Sequence, residues 1–426
     1  MKIAVIGAGI AGNVAARGLF REHDITVFEA GAHVGGHSHT HHVEIDGRPL
    51  AVDTGFIVYN DATYPRFSAL LAELGVASRE TSMCFSVRNE VSGLEYSSAT
   101  INTLFAQRRN LLRPNFHRMW REILRFNRHA SGLGEGQLDH DTTLGEYVRE
   151  QRFSPEFVDD YLLPMASAIW SAAPADIGAM PARFLIGFFR NHGMLSVSQR
   201  PQWRTICGGS ERYVAQLVAP FRARIHLRTP VGGVRRTGHA VQLRLASGET
   251  RQFDRVFFAC HSDQALALLE DASAAERAVL GAISYQENEV VLHTDTRLLP
   301  ERRLAWAAWN YHVPPEPTVR VCVTYNMNIL QGLKSAQTLC VTLNRTAAID
   351  PARVLRRLVY QHPVFTGEAI AAQARLPEIN GVNGTYYCGA YWRYGFHEDG
   401  VLSAEAALDC FAREARGAQR TLYRLG

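Results

Sequence analysis

An α/β fold with a parallel βαβ unit at its start is what this chain of 426 residues predicts, and three observations predict it. An apolar strand, Lys2-Ile3-Ala4-Val5-Ile6, runs directly into Gly7-Ala8-Gly9-Ile10-Ala11-Gly12. A helical pattern from Asn13 to Phe20 follows, and then a second strand, Ile25-Thr26-Val27-Phe28, which ends on Glu29. The composition, 46% hydrophobic and 20% charged, is that of a globular chain with a sizeable core. The length suggests two intertwined domains rather than one.

Each glycine of the turn has a separate task. Gly7 makes the tight turn out of the strand, Gly9 lets the backbone approach a diphosphate at the helix N-terminus, and Gly12 lets helix and strand pack closely. Glu29 stands 22 residues after Gly7, where a carboxylate accepts hydrogen bonds from ribose hydroxyls. The fingerprint in this context predicts a Rossmann-type dinucleotide site. Other classes are excluded. The net charge of +4 is too small to argue for nucleic acid. No apolar run reaches the ~20 residues of a membrane span. No basic-then-apolar leader opens the chain, and the seven cysteines are scattered without a CxxC pair. Free thiols in the cytoplasm are expected. The basic residues are nearly all arginine; the only lysines are Lys2 and Lys334.

After Glu29 come Ala30, then Gly35-Gly36-His37-Ser38-His39-Thr40, then Asp53-Thr54-Gly55-Phe56. Here the chain resembles the flavin amine-oxidase superfamily, which includes carotenoid desaturases and protoporphyrinogen oxidases. The resemblance implies one non-covalent FAD. It also implies an FAD-binding domain of residues 1–60, 205–285 and 380–426, intertwined with an α+β substrate domain of 61–204 and 286–379. The cofactor contacts it implies are Gly7, Gly9, Ile10, Ala11, Gly12, Glu29, Ala30, Gly36, His37, Thr54, Gly55 and Phe56. His37 stands where relatives have a phosphate-binding arginine. The resemblance returns at Gly208-Gly209-Ser210, at Val231, whose backbone would meet the adenine, and at Gly389 and Val401 near the final helix. That helix would aim its positive end at the flavin. A second GxGxxG in strand–helix context is lacking, which argues against a separate NAD(P)H domain.

Within the superfamily the sequence is similar to a bacterial group of FAD proteins often found with cyclopropane-fatty-acid-synthase-like methyltransferases. That group includes a flavin desaturase of furan-fatty-acid synthesis. The matching stretches include Asp53 to Asn60, Ala168-Ile169-Trp170-Ser171, Asn191-His192-Gly193 and Tyr325-Asn326-Met327-Asn328. The implied activity is dehydrogenation of a lipid acyl chain, with an acyl-chain methyltransferase as pathway partner. The alternatives are an amine or other small-molecule oxidase, a non-redox isomerase of the sugar-mutase type, and a flavin-binding partner without turnover.

Four residues are candidates for the chemistry. Relatives often place a lysine near flavin N5 at the start of a strand; here Asn288 stands in the corresponding strand. The plain alternative is a strand-end amide bonded to backbone. His192 follows the apolar run Phe184 to Phe189 and is a candidate base, or else a helix end closed by Gly193. Tyr311 and Tyr325 are candidate cavity residues. Trp392, Tyr394 and Phe396 are a candidate aromatic wall. Phe184, Leu185, Phe188 and Phe189 would line or abut an apolar tunnel. His37, His39, His41 and His42 suggest a metal, but no cysteine or carboxylate set completes a site, so none is expected. Finally, Leu104 to Arg128 interleaves arginines with apolar residues. Arg118, Arg121, Arg125 and Arg128 share one helical face; Leu112, Phe116, Trp120 and Ile123 share another. Such a helix can lie on anionic lipid as a peripheral contact at the inner face of the membrane, or pack its apolar face into the core. Asn110 and Pro114 are placed to split it.

Overall fold

A computed structural model describes residues 1–134, 138–139, 141–196, 200–238, 240–316 and 320–425, with side chains described as far as 414. The first elements are β1 (Lys2–Ile6), α1 (Ile10–Leu19) and β2 (Asp24–Phe28). They join a parallel sheet whose order is Ile225–His226, β2, β1, Arg255–Phe258, Thr385–Tyr387. Ile3, Ala4, Val5 and Ile6 are all buried, as a central strand covered on both faces requires. The C-terminal helix, His397–Leu425, packs against α1. A Cβ at Gly18 would meet Leu408 Cδ1 at 2.5 Å, so that glycine sets the closeness of the two helices.

An antiparallel meander follows, of Val231–Thr237, Ala240–Leu245 and Thr250–Phe253. The next strand, Arg255–Phe258, instead enters the parallel sheet beside β1, because its residues Val256, Phe257 and Phe258 are apolar on both faces. The meander is tied down by Arg236, whose side chain is 3% exposed. Its guanidinium bonds Glu276 twice and Asp271 at 3.0 Å, while Tyr387 Oη donates to Glu276 at 2.6 Å.

A seven-stranded mixed sheet forms the other layer. Its order is Val354–Pro363, Tyr285–His293, Cys340–Leu343, Val323–Asn326, Trp309–Val313, Phe85–Asn89, Leu94–Ser97. Helices cover it, among them Pro114–Gly132, Leu163–Trp170 and Ala182–Asn191. The arginine-rich segment breaks where Asn110 and Pro114 predict, into Ile101–Leu104, a 3₁₀ turn Arg108–Leu112, and the helix from Pro114. The apolar face of that helix, Phe116, Met119, Ile123 and Phe126, lies in the core, so it is not the surface that faces lipid. Leu112 does not share that face: it precedes the helix and is 88% exposed. Arg118 is paired with Glu156, and Arg125 lies over the Phe153 ring at 4.1 Å. No helix of the described residues is long and apolar enough to cross a membrane. None of the seven cysteines is in a disulfide.

Candidate active site

The three glycines of the first turn show three different constraints. Gly7 has φ of +104°, and a Cβ there would meet the Ala259 carbonyl oxygen at 2.7 Å. A Cβ at Gly12 would come within 2.0 Å of the Gly7 carbonyl oxygen, so only glycine lets α1 start this close to the strand. A Cβ at Gly9 would meet nothing within 4 Å, because Gly9 borders a cavity of about 900 Å³. α1 begins there with neither a side-chain cap nor an acid in its first turn, so its free amides are open to an anion.

The cavity runs from this turn to the larger sheet. Gly7, Gly9, Ile10, Ala11, Glu29, Ala30, Gly36, His37, Thr54, Gly55, Phe56, Val231 and Gly389 all line it. Gly12 and Val401 do not: Gly12 packs against strand backbone, and Val401 is buried in the core under the parallel sheet. The final helix does point its first residue, His397, at the cavity, stacked on Phe56 at 3.6 Å. Its first turn also carries Glu398 and Asp399, which offset the positive end. Asp399 accepts from the Phe396 N–H at 3.0 Å, and burial pushes its carboxyl up to about 6.

Glu29 is the one charged side chain in the described lining. Its carboxylate accepts from the N–H of Ala8 at 2.8 Å and of Gly31 at 2.7 Å. One bond to each oxygen leaves lone pairs for a ribose hydroxyl. Replacing Glu29 with alanine therefore removes two supports at once. FAD should bind more weakly by about 1.5–3 kcal/mol, the range for a charged hydrogen bond, and the FAD-free protein should also melt earlier. Fluorescence titration with FAD and a thermal melt check the two effects. His37 offers no cation. Burial, reinforced by His362 and His261, holds its ring well below the usual histidine range. Its buried Nε2 has no protein partner, which suits a hydrogen bond to a ligand rather than an ion pair.

Of the four residues nominated for chemistry, only Tyr325 lines the cavity. Burial raises its phenol to about 12, so it stays protonated at neutral pH and donates. Tyr311 is buried in the core, away from the lining. His192 closes the helix Ala182–Asn191, with Gly193 following at φ of +64°, which is the helix-end reading. Its ring stacks on Phe188 at 3.8 Å behind the cavity wall, and burial lowers it to about 4. Asn288 is wholly buried and also off the lining, but it bonds His362, which is on it. Tyr394 and Phe396 line the cavity as an aromatic wall; Trp392 faces the core instead. Phe184 and Phe188 abut that wall, 5.0 Å from Tyr394 and 5.2 Å from Phe396, while Leu185 and Phe189 are fully buried in the core behind.

Sequence reasoning passed over Tyr360 and His362, both in the lining. Their signal was present: they alternate along the strand Val354–Pro363, so period two puts both on one face. Tyr360 Oη bonds Thr54 Oγ1 at 2.7 Å and His39 Nδ1 at 3.1 Å. His33 stacks on His39 at 3.8 Å, and His41 lies tilted against His39 at 4.1 Å. Among the described residues no three His, Cys, Asp or Glu side chains are placed to hold a metal.

Comparison with known proteins agrees with this geometry. Residues 10–408 match the family described as flavin containing amine oxidoreductase. A Mycobacterium tuberculosis sequence designated flavin-containing monoamine oxidase AofH is 27% identical over 258 residues, 58% of this chain and 54% of its own length. The chain thus spans about half the length of the curated relative it matches. Among solved structures, cyclohexylamine oxidase from Brevibacterium oxydans IH-35A superposes with a TM-score of 0.72 at 15% identity, covering 97% of this chain and 99% of the other. The CLA-producing fatty acid isomerase from P. acnes gives a TM-score of 0.66 at 16% identity, covering 96% and 98%. The glycine turn, the uncapped helix start, the Glu29 carboxylate and the long cavity all fit FAD, and the chain belongs to the flavin-containing amine oxidoreductase family, with FAD as its cofactor.

Proposed function

We propose that this FAD-dependent oxidoreductase dehydrogenates a lipid acyl chain. One observation carries the reading: apart from Glu29, no described residue of the lining bears a charge. The wall facing the larger sheet is built from Ile169, Trp170, Trp309, Tyr325, Leu343 and Phe365. Such a chamber suits a methylene chain, each CH₂ of which gains about 0.8 kcal/mol on leaving water. It offers no carboxylate to hold an ammonium group. That the same fold serves a fatty acid isomerase in P. acnes is compatible with an acyl occupant. Bound FAD would supply the two-electron acceptor, so that one hydrogen of the acyl chain would leave as hydride and its neighbour as a proton to water. The protein's part is to bind the acyl chain against the flavin between apolar walls. Anaerobic mixing is the test. Long-chain acyl lipids should bleach the flavin band while primary amines leave it; bleaching by amines alone would make the chain an amine oxidase.

The acyl substrate is met at a membrane surface in this reading. His117, Arg121, Leu124 and Arg128 share one exposed face of the helix Pro114–Gly132, and Leu111, whose carbonyl oxygen bonds His117 at 2.8 Å, lies beside them. Among the described residues Arg113, Arg121 and Arg128 have no ion-pair partner, unlike Arg118 and Arg125. This patch of arginine and exposed leucine suits an anionic bilayer. Vesicles containing phosphatidylglycerol should co-sediment the protein at low salt. Binding should fall severalfold when Arg113, Arg121 and Arg128 all become glutamate, and persistence of binding would refute the contact.

A further inference from the structure

A row of side-chain amides ends on an imidazole in the cavity wall, and one backbone group settles every proton along it. The main-chain N–H of Glu289 donates to Asn344 Oδ1 at 3.0 Å. A backbone N–H can only donate, so the other end of that amide is nitrogen. Asn344 Nδ2 accordingly donates to the Val321 carbonyl at 3.0 Å and to Asn288 Oδ1 at 2.7 Å. Asn288 is oriented in turn, and its Nδ2 donates to His362 Nδ1 at 2.9 Å. A ring nitrogen that accepts carries no proton, so the single proton of neutral His362 is on Nε2. Burial and the neighbouring His261 lower the ring to about 4, which keeps it neutral. His362 lines the cavity, and with Nδ1 taken by Asn288 its Nε2 is the ring nitrogen left for a partner there.

The position of that N–H relative to a bound dinucleotide follows from the glycine turn. Gly36 backs onto Gly9, where a Cβ on Gly36 would touch the Gly9 Cα at 3.1 Å. His37 follows Gly36, and its ring centroid is 5.4 Å from that of His362. A dinucleotide with its diphosphate at Gly9 therefore passes His37 and carries its far ring system toward His362. We propose that His362 donates a hydrogen bond through Nε2 to the flavin ring system, and that Asn288 is the positioning residue that locks it as a donor. His362 then cannot be the proton acceptor of the reaction, since its one lone pair is already used. An N–H aimed at the ring stabilises the electron-rich reduced flavin and raises its potential.

The inference rests on FAD occupying this cavity, and its two halves are measured separately. Long-range ¹⁵N–¹H NMR on FAD-free protein labelled at histidine, assigned with His362→Gln, should show Nε2–H and a bare Nδ1 for His362. Asn288→Asp presents only acceptors, so the proton should move to Nδ1. In FAD-loaded protein the flavin potential should fall in Asn288→Asp and in His362→Leu, and recover in His362→Gln, whose amide can still donate. An Nδ1–H tautomer in the parent would overturn the lock. The predicted tautomers with one potential shared by parent, Asn288→Asp and His362→Leu would overturn the contact with flavin. A parent that takes up no FAD would instead refute the cofactor assignment, and the flavin contact with it, while the tautomer result would stand by itself. Should Asn288→Asp fail to fold, the pair His362→Leu and His362→Gln still decides whether a donor matters.

Discussion

Gly9→Val should purify as a folded, colourless protein. Gly9 is in extended backbone, φ −74° and ψ −173°, which valine adopts without strain. Nothing of the protein lies within 4 Å of the new Cβ, so the side chain starts in open space. The side chain projects instead into the cavity at the start of α1, where the diphosphate would sit. Losing two or more charge-assisted hydrogen bonds there costs about 3–6 kcal/mol of binding, or roughly 10²- to 10⁴-fold in affinity. Stability of the FAD-free chain should change by only about 1 kcal/mol, through the poorer helix cap. Gly12→Ala is the contrasting control, because its Cβ would lie 2.0 Å from a carbonyl oxygen, and that protein should fail to fold. Absorbance and thermal melts of the two variants separate cofactor loss from fold loss. Full FAD content in Gly9→Val would refute the placement of the diphosphate.

Glu276→Ala should cost about 3–5 kcal/mol of stability, the range for stripping one partner from a buried ion pair. Arg236 and Glu276 are 3% and 2% exposed, so alanine leaves a guanidinium with only Asp271 for charge compensation, and that far from water. The Tyr387 hydroxyl loses its acceptor as well. The same pair has a pH signature. Burial alone would raise the Glu276 carboxyl, but bonds from Arg236, Tyr387 and the Ser273 N–H outweigh it and hold the group at about 2. A depressed folded-state value means that the stabilisation is fully present above the unfolded value near 4.5 and is lost as pH falls from there toward 2. Urea melts at pH 7 and pH 3 should therefore differ more for the parent than for Glu276→Gln. Equal pH dependence would show that the carboxylate is not the group responsible.

The first sixty residues were legible because their constraints are local. Gly7, Gly9 and Gly12 answer to backbone geometry within one turn, and β1, α1 and β2 all lie where the spacing puts them. The same holds for the break at Asn110 and Pro114, and for the helix ending at His192. What failed was placement across the chain. Asn288 was singled out as a possible actor, yet it lies one side chain behind the wall, because Tyr360 is its strand partner and His362 comes between. Nothing near Asn288 in sequence reveals which residue of a strand some seventy positions later it will face. Tyr311 and Val401 failed for a related reason: periodicity shows that an apolar residue is buried, not whether it faces a cavity or the core. The helix from Pro114 shows the converse. Its apolar face was read correctly apart from Leu112, but that this face meets the core was decided by Tyr96 and Phe157, which lie on other elements and pack on Phe116 and Phe126.

The parallel sheet has a consequence for synthesis. Its middle strand, β1, needs Arg255–Phe258 on one side, and that strand needs Thr385–Tyr387 on its other. The helix that covers α1 comes later still. At ribosomal speeds of about 5–20 residues per second, β1 waits roughly 12–50 seconds for Arg255–Phe258, and the sheet roughly 20–75 seconds for its last strand. Until Arg255–Phe258 is made β1 has a bare edge, and after that Arg255–Phe258 has one, which is when nascent chains pair wrongly or are captured by chaperones. Overproduction in a fast-translating host should therefore yield more inclusion bodies than slow expression in the cold, even though the finished protein closes that edge.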